Sequence, residues 1–240
     1  MSRPKDRPTE VSLTQRYAFL VSSLLLGSAI CAQAQTAPAV RSDVYHVQFT
    51  KAVPGSAAAL GKALETPDPK APMPTHFIVL RHQQGDDWDY CVIEHLGTKT
   101  TVDAAPSAPS PVRSLTAWHA DTFVSGPPWA EFAKAMAIDG GGKAGAVYSV
   151  AVWLAVPGQR EKLEAELGRI DPASKVPVGS LVLQHLEGGA WTFLALERYT
   201  SWQDFATAQA DPGTRGDGWS VVRQYSTYHH DTLADRIAPK

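Results

Sequence analysis

The sequence predicts an α+β protein built from two tandem copies of one β-α-β-β-α-β unit, and three observations carry that expectation. Val44-Tyr45-His46-Val47 leads to Ala52-Val53-Pro54-Gly55, and Val147-Tyr148-Ser149-Val150 leads to Ala155-Val156-Pro157-Gly158 103 residues later, with 9 of 21 positions identical between 44–64 and 147–167. The register runs on through His82/His185, Gly85/Gly188, Trp88/Trp191 and Glu94/Glu197. A seven-residue insertion then moves the offset to 110, pairing Val112-Arg113 with Val222-Arg223 and His119-x-Asp121-Thr122 with His229-x-Asp231-Thr232. Repetition at a fixed period sets the architecture before any local pattern is considered.

Each element follows from its own pattern. In 44–51, Tyr45, Val47 and Phe49 alternate with His46, Gln48 and Thr50, which predicts a strand. Val53-Pro54-Gly55 turns the chain into an alanine-rich helix over 56–65, and Pro157-Gly158 leads into a helix over 159–168 that Gly168 can cap. A hairpin follows in each copy, 76–83 with 88–96 and 180–186 with 191–199, each pair joined by a short glycine-containing loop. Ser201 is the expected N-cap of a helix over 202–209, while the matching stretch 98–111 is richer in proline and its helix is expected to be reduced. Terminal strands are expected around 119–124 and 229–234, with an amphipathic helix over 128–138 and the linker Gly140-Gly141-Gly142-Lys143 between the copies.

This is the ferredoxin-like order, a four-stranded antiparallel sheet with helices on one face. The open face needs cover, and the second copy supplies it, giving two sheets packed sheet to sheet as a pseudo-dimeric α/β barrel. Over 44–237 the element order and the duplication resemble the dimeric α/β barrel superfamily. That resemblance implies several chemistries: cofactor-free monooxygenases, stress-responsive barrel proteins, haem-degrading monooxygenases and chlorite-dismutase-like haem proteins. The haem members hold iron through a histidine on a helix, whereas most histidines here fall on expected strands, so no haem ligand carries over and no cofactor is expected. The divisions expected are 1–34, 35–43, 44–126, 127–146 and 147–240: signal peptide, disordered lead-in, first repeat, helix with linker, and second repeat.

The N-terminus reads as an export signal. Arg3, Lys5, Arg7 and Arg16 precede an apolar run from Tyr17 to Ile30 and the small-x-small site Ala32-Gln33-Ala34. That run is shorter than the roughly 20 residues a membrane span needs. Cleavage after Ala34 would begin the mature chain at Gln35, in the periplasm or outside the cell, and leave Cys91 as its single cysteine, with no internal disulfide. The formal net charge is −2, and losing the four basic and two acidic residues of 1–34 takes it to −4. Without a basic block, nucleic acid is not an expected partner.

The duplicated polar positions are the candidate site. His119 with Asp121, and His229 with Asp231, share one side of a terminal strand, where a carboxylate can hold an imidazole in one tautomer for proton transfer. Packing at a strand end is the competing use. His82 and His185 follow Leu80 and Leu183 toward the shared interior or the barrel mouth. Trp88 and Trp191, read on one stripe with Glu94 and Glu197, are either core or the lining of a pocket for a flat ligand. Arg113 and Arg223 could hold a carboxylate or make a local ion pair. If His46 and Gln48 line the barrel, the first half has a polar pocket where Ser149, Ala151 and Trp153 fill the second. His95, opposite Arg198 in the repeat, reads as surface, and no close ligand pair supports a metal site.

Two functions compete. One is a small-molecule-binding barrel, monooxygenase- or isomerase-like without a cofactor and monomeric as a pseudo-dimer. The other is a non-catalytic envelope protein with a solid barrel that binds a partner, and a haem-binding barrel stands third. A cavity in the barrel favours the first, close packing throughout the second.

Overall fold

The structure, a computed structural model, describes residues 40–98, 112–140, 145–169, 175–187, 190–210 and 218–239. Residues 1–34, the linker glycines Gly141 and Gly142 and the expected reduced helix beyond Thr98 lie outside those segments.

Eight strands close into one antiparallel barrel: β1 (Asp43–Ala52), β2 (Phe77–Gln84), β3 (Tyr90–Gly97), β4 (Thr116–Gly126), β5 (Val147–Ala155), β6 (Gly179–Glu187), β7 (Phe193–Tyr199) and β8 (Ser226–Ala238), in the spatial order β1-β3-β2-β8-β5-β7-β6-β4. The last strand of each half crosses over, so β4 pairs with β1 and β6, while β8 pairs with β5 and β2. Closure pairs strands that an open sheet would leave as edges. Five α-helices are described: α1 (Ala57–Leu64), α2 (Trp129–Ala135), α3 (Arg160–Leu167), α4 (Trp202–Ala210) and α5 (Gly218–Tyr225).

Sequence and structure agree on most elements for local reasons. The turns before α1 and α3 put Gly55 at φ +83° and Gly158 at φ +78°, a backbone that side-chain-bearing residues avoid. Ser201 Oγ accepts the Asp204 N–H at 3.1 Å, the expected cap of α4. Gly168 differs from expectation: it ends α3 at φ −83°, with no left-handed cap. Helix α5 was not expected. It lies just before β8, and of its described side chains Val222 is buried, against Leu163 of α3.

The strand period decides which side chains fill the barrel. Tyr45, Val47 and Phe49 of β1 point inward with Ile78, Leu80, Cys91, Ile93, Tyr148, Val150, Leu183, Leu194 and Leu196. Burial of such side chains contributes about 1.5–3 kcal/mol each. Cys91 is fully buried and its thiol is pushed far up by burial alone, so it is a core residue. Helix α2 closes one end of the barrel with Phe132, Ala133 and Met136. Tyr45 donates its hydroxyl hydrogen to Pro127 O at 2.6 Å, and Tyr148 donates to Met136 O at 3.0 Å. Strands β1 and β5 therefore both start at the α2 end. Trp88 and Trp191, next to the far ends of those strands through the Asp89-to-Thr50 and Thr192-to-Trp153 backbone bonds, mark the opposite end.

Just before β1, Arg41 is anchored. Its guanidinium donates to Glu164 at 2.5 Å and to Val182 O at 3.3 Å and lies over the Phe193 ring, tying the start of β1 to the second half.

Candidate functional site

The expectation that His46 and Gln48 line the barrel is corrected. The period of two that sends Tyr45, Val47 and Phe49 inward sends His46 and Gln48 to the outer face. On that face the register sets His46 opposite Glu94 on one side and Phe123 on the other, Gln48 opposite Asp121, and Thr50 opposite His119. Five of the expected site residues are thereby brought together.

His46 sits between two carboxylates, with Nδ1 2.9 Å from Glu94 Oε2 and Nε2 3.2 Å from Asp121 Oδ1. Burial works against its charge, but the hydrogen bonds to Asp121 and Glu94 outweigh it and hold the imidazole up at about 9. His46 is thus a cation at neutral pH, with both N–H groups committed. Burial would raise Asp121, yet hydrogen bonds from His46 and from Gln48 Nε2 (2.9 Å) bring it down to about 2. Its second oxygen, Oδ2, accepts from His119 Nδ1. A donated Nδ1–H fixes the neutral His119 tautomer with its lone pair on Nε2, and the side chain is 53% exposed. The row Glu94–His46–Asp121–His119 can therefore present a basic nitrogen backed by a carboxylate that stays ionised.

The second half diverges at the same places. His229 Nε2 lies 3.9 Å from Asp231 Oδ2, beyond a hydrogen bond, and its ring stacks on Trp153 at 4.6 Å while Trp219 meets it edge-on at 4.7 Å. Ser149 replaces His46, and Glu197 accepts the Tyr199 hydroxyl at 2.6 Å. His229 and Asp231 are held apart from the kind of pairing seen in the first half because Trp153 occupies the place of Thr50.

The other expected residues fall elsewhere. Trp88 and Glu94 do not share a stripe. Strand β3 starts at Tyr90, the turn before it breaks the period, and Trp88 packs inward while Tyr90, Val92 and Glu94 face out. Trp191 and Glu197 divide in the same way. His82 meets Trp88 edge-on at 5.7 Å and His185 meets Trp191 at 5.1 Å, so these pairs line the barrel end opposite α2. Arg113, on a 3-10 turn (Arg113–Leu115), and Arg223, on α5, are exposed and lie outside the row.

His95 corrects the surface assignment. It is 6% exposed, because it follows Cys91 and Ile93 on the inward period of β3. Its Nε2 donates to Asp43 Oδ2 at 2.7 Å, and its Nδ1 lies 3.0 Å from His76 Nδ1. The inward alternation was the available signal; pairing with Arg198 across the repeat hid it. All eight histidines lie on strands except His76, the residue before β2. Among the described residues no cluster of three or more His, Cys, Asp or Glu side chains is arranged to hold a metal, and no helix is long and apolar enough to cross a membrane.

Solved structures share this fold. A "putative monooxygenase" from Lactobacillus acidophilus NCFM is 9% identical and covers 81% of this chain and 94% of its own, with a TM-score of 0.55. A "putative monooxygenase" from Fusobacterium nucleatum subsp. nucleatum is 6% identical, covers 82% and 93%, and has a TM-score of 0.59. At those identities the likeness is one of fold. No protein-family profile matches the chain, and no curated protein matches its sequence.

Proposed function

We propose that this chain is an exported, small-molecule-binding α/β barrel that acts as a cofactor-independent monooxygenase- or isomerase-like enzyme on its outer face. The observation that carries the reading is the His119–Asp121 pair, with Asp121 kept anionic by His46 and Gln48. In the proposed step a weakly acidic C–H or O–H of a small organic substrate gives its proton to His119 Nε2. Asp121 then balances the imidazolium. In an isomerase the proton returns at a neighbouring carbon; in an oxygenase the carbanion adds to dioxygen, the His119 imidazolium protonates the resulting peroxide, and O–O cleavage with loss of water leaves the carbonyl product. Both likenesses above are to proteins described as monooxygenases, which agrees with this reading.

The test is hydrogen–deuterium exchange and oxygen uptake with a panel of phenols, enols and β-keto acids. His119→Gln and Asp121→Asn are expected to lower the rate by about 10²- to 10⁴-fold, the usual worth of a general base. Wild-type turnover unchanged in both variants would remove the pair from the mechanism.

The tandem pseudo-dimer is proposed with it. Its support is the one-to-one succession of strands, β1-β3-β2 then β8 against β5-β7-β6 then β4, and the matching Tyr45 and Tyr148 hydroxyls on either side of α2. Export rests on the composition of residues 1–34, and the mature protein recovered from a periplasmic fraction is expected to begin at Gln35.

The packed interior favours a second reading, a non-catalytic envelope protein that binds a partner through its exterior. Absence of any saturable ligand and of any turnover across the panel would select it.

A further inference from the structure

The cluster around His95 lies apart from the outer-face row, inside the barrel at its α2 end. Four elements meet there. Asp43 comes from β1, His95 from β3, His76 from the residue before β2, and Trp129 from α2. Trp129 stacks on His76 at 4.7 Å and 10° and on His95 at 5.5 Å and 14°, and its own N–H donates to Asp43 Oδ2 at 3.2 Å. Phe132, one turn on, stacks against Trp129 and Tyr45. We propose that Asp43, His95, His76 and Trp129 form an acid-released latch holding α2 on the end of the barrel.

Proton counting drives the device. His95 gives its Nε2–H to Asp43, so its Nδ1 carries a lone pair, and His76 Nδ1–H fills it across 3.0 Å. One extra proton can be taken up on His76 Nε2 without loss of that bond. A second places two hydrogens between the Nδ1 atoms and sets two cations face to face. The titratable groups facing His95 are Asp43 and Tyr45 from β1 and His76 itself, and Asp43 and, from α2, Glu131 act in turn on Tyr45. Asp43 offsets one positive charge and is already shared between His95 and the Trp129 amide. The second proton therefore parts the imidazoles and, with them, the Trp129 stack.

Burial lowers His95 below the ordinary histidine value, against the opposing pull of Asp43. A lowered histidine means that the open chain takes up protons first as pH falls. The latch is complete above about pH 6.5 and weakens below it. His46 is protonated throughout that range and does not contribute. Opening lifts Trp129 off the two histidines and Phe132 off Tyr45 and turns the closed α2 end into a mouth.

Hydrogen–deuterium exchange of the peptide spanning α2 in the full-length protein tests this at about pH 7.5 and about pH 5.5, corrected for intrinsic rates. The wild type is expected to exchange several-fold faster at the lower pH, up to about tenfold, the most that one histidine of ordinary open-state value can contribute over that interval. His95→Gln keeps an N–H donor for Asp43 and a carbonyl acceptor for the His76 Nδ1–H and cannot be protonated, so its change should stay below about twofold by the same linkage. Equal acceleration in both proteins, or none in the wild type, overturns the latch. If H95Q does not fold, ring-proton NMR of His76 and His95 in the wild type decides. Two coupled steps with the second well below the first support it, and two independent ordinary titrations overturn it.

Discussion

His46 illustrates how one residue's ionisation depends on the strands beside it. Held at about 9 against an ordinary 6.5, it adds stability that is complete below 6.5 and lost as pH rises through 9. Asp121, at about 2 against 3.8, adds stability that is present above 3.8 and lost as pH falls through 2. The row should stabilise most between about pH 4 and pH 6.5. His46→Gln is expected to cost about 1–2 kcal/mol there, after discounting for the partly exposed carboxylates, with the difference shrinking as pH rises from about 6.5 and gone above about pH 9. Thermal unfolding of both proteins across pH checks this; a constant difference would mean that His46 acts by packing alone. Alternation placed His46 and Gln48 on one face, and the repeat singled out Glu94, His119 and Asp121. Which face it was could not be read, because both faces of a covered strand carry large side chains.

At the scale of elements, α2 shows the reach of a short helix. Phe132 is fully buried and stacks on Tyr45 at 4.9 Å, so Phe132→Ala should cost about 3–5 kcal/mol in chemical denaturation. The turns before α1 and α3 are governed by backbone instead. A Cβ at Gly55 or Gly158 meets nothing within 4 Å, so Gly55→Ala and Gly158→Ala should each cost about 1 kcal/mol from positive φ alone. A cost near zero would show that those turns relax. Hairpins and the first helices were legible because turn chemistry and period agree locally. Helix α5 was not, although Val222 and the partly buried Tyr225 give it an apolar side, because those positions do not read as a helix apart from the strand that follows.

For the whole molecule, closure of the eight strands predicts that the chain from Gln35 onward is a monomer in native mass spectrometry; a stable dimer would mean that the two halves leave an interface unsatisfied. The sequence by itself determined the α+β class and most of the strand and helix order, and it set His119 and Asp121 on one side of their strand, because period and repetition are properties of neighbours along the chain. Tertiary structure alone decided that the interior is filled by Tyr45, Phe49, Trp88 and Phe132. It also made one pair a charged row and the other an aromatic stack, and it drew His95 inside to meet Asp43 and His76. Those outcomes depend on which strands lie side by side in the closed barrel, on the register between them and on what α2 covers, and each joins residues tens of positions apart.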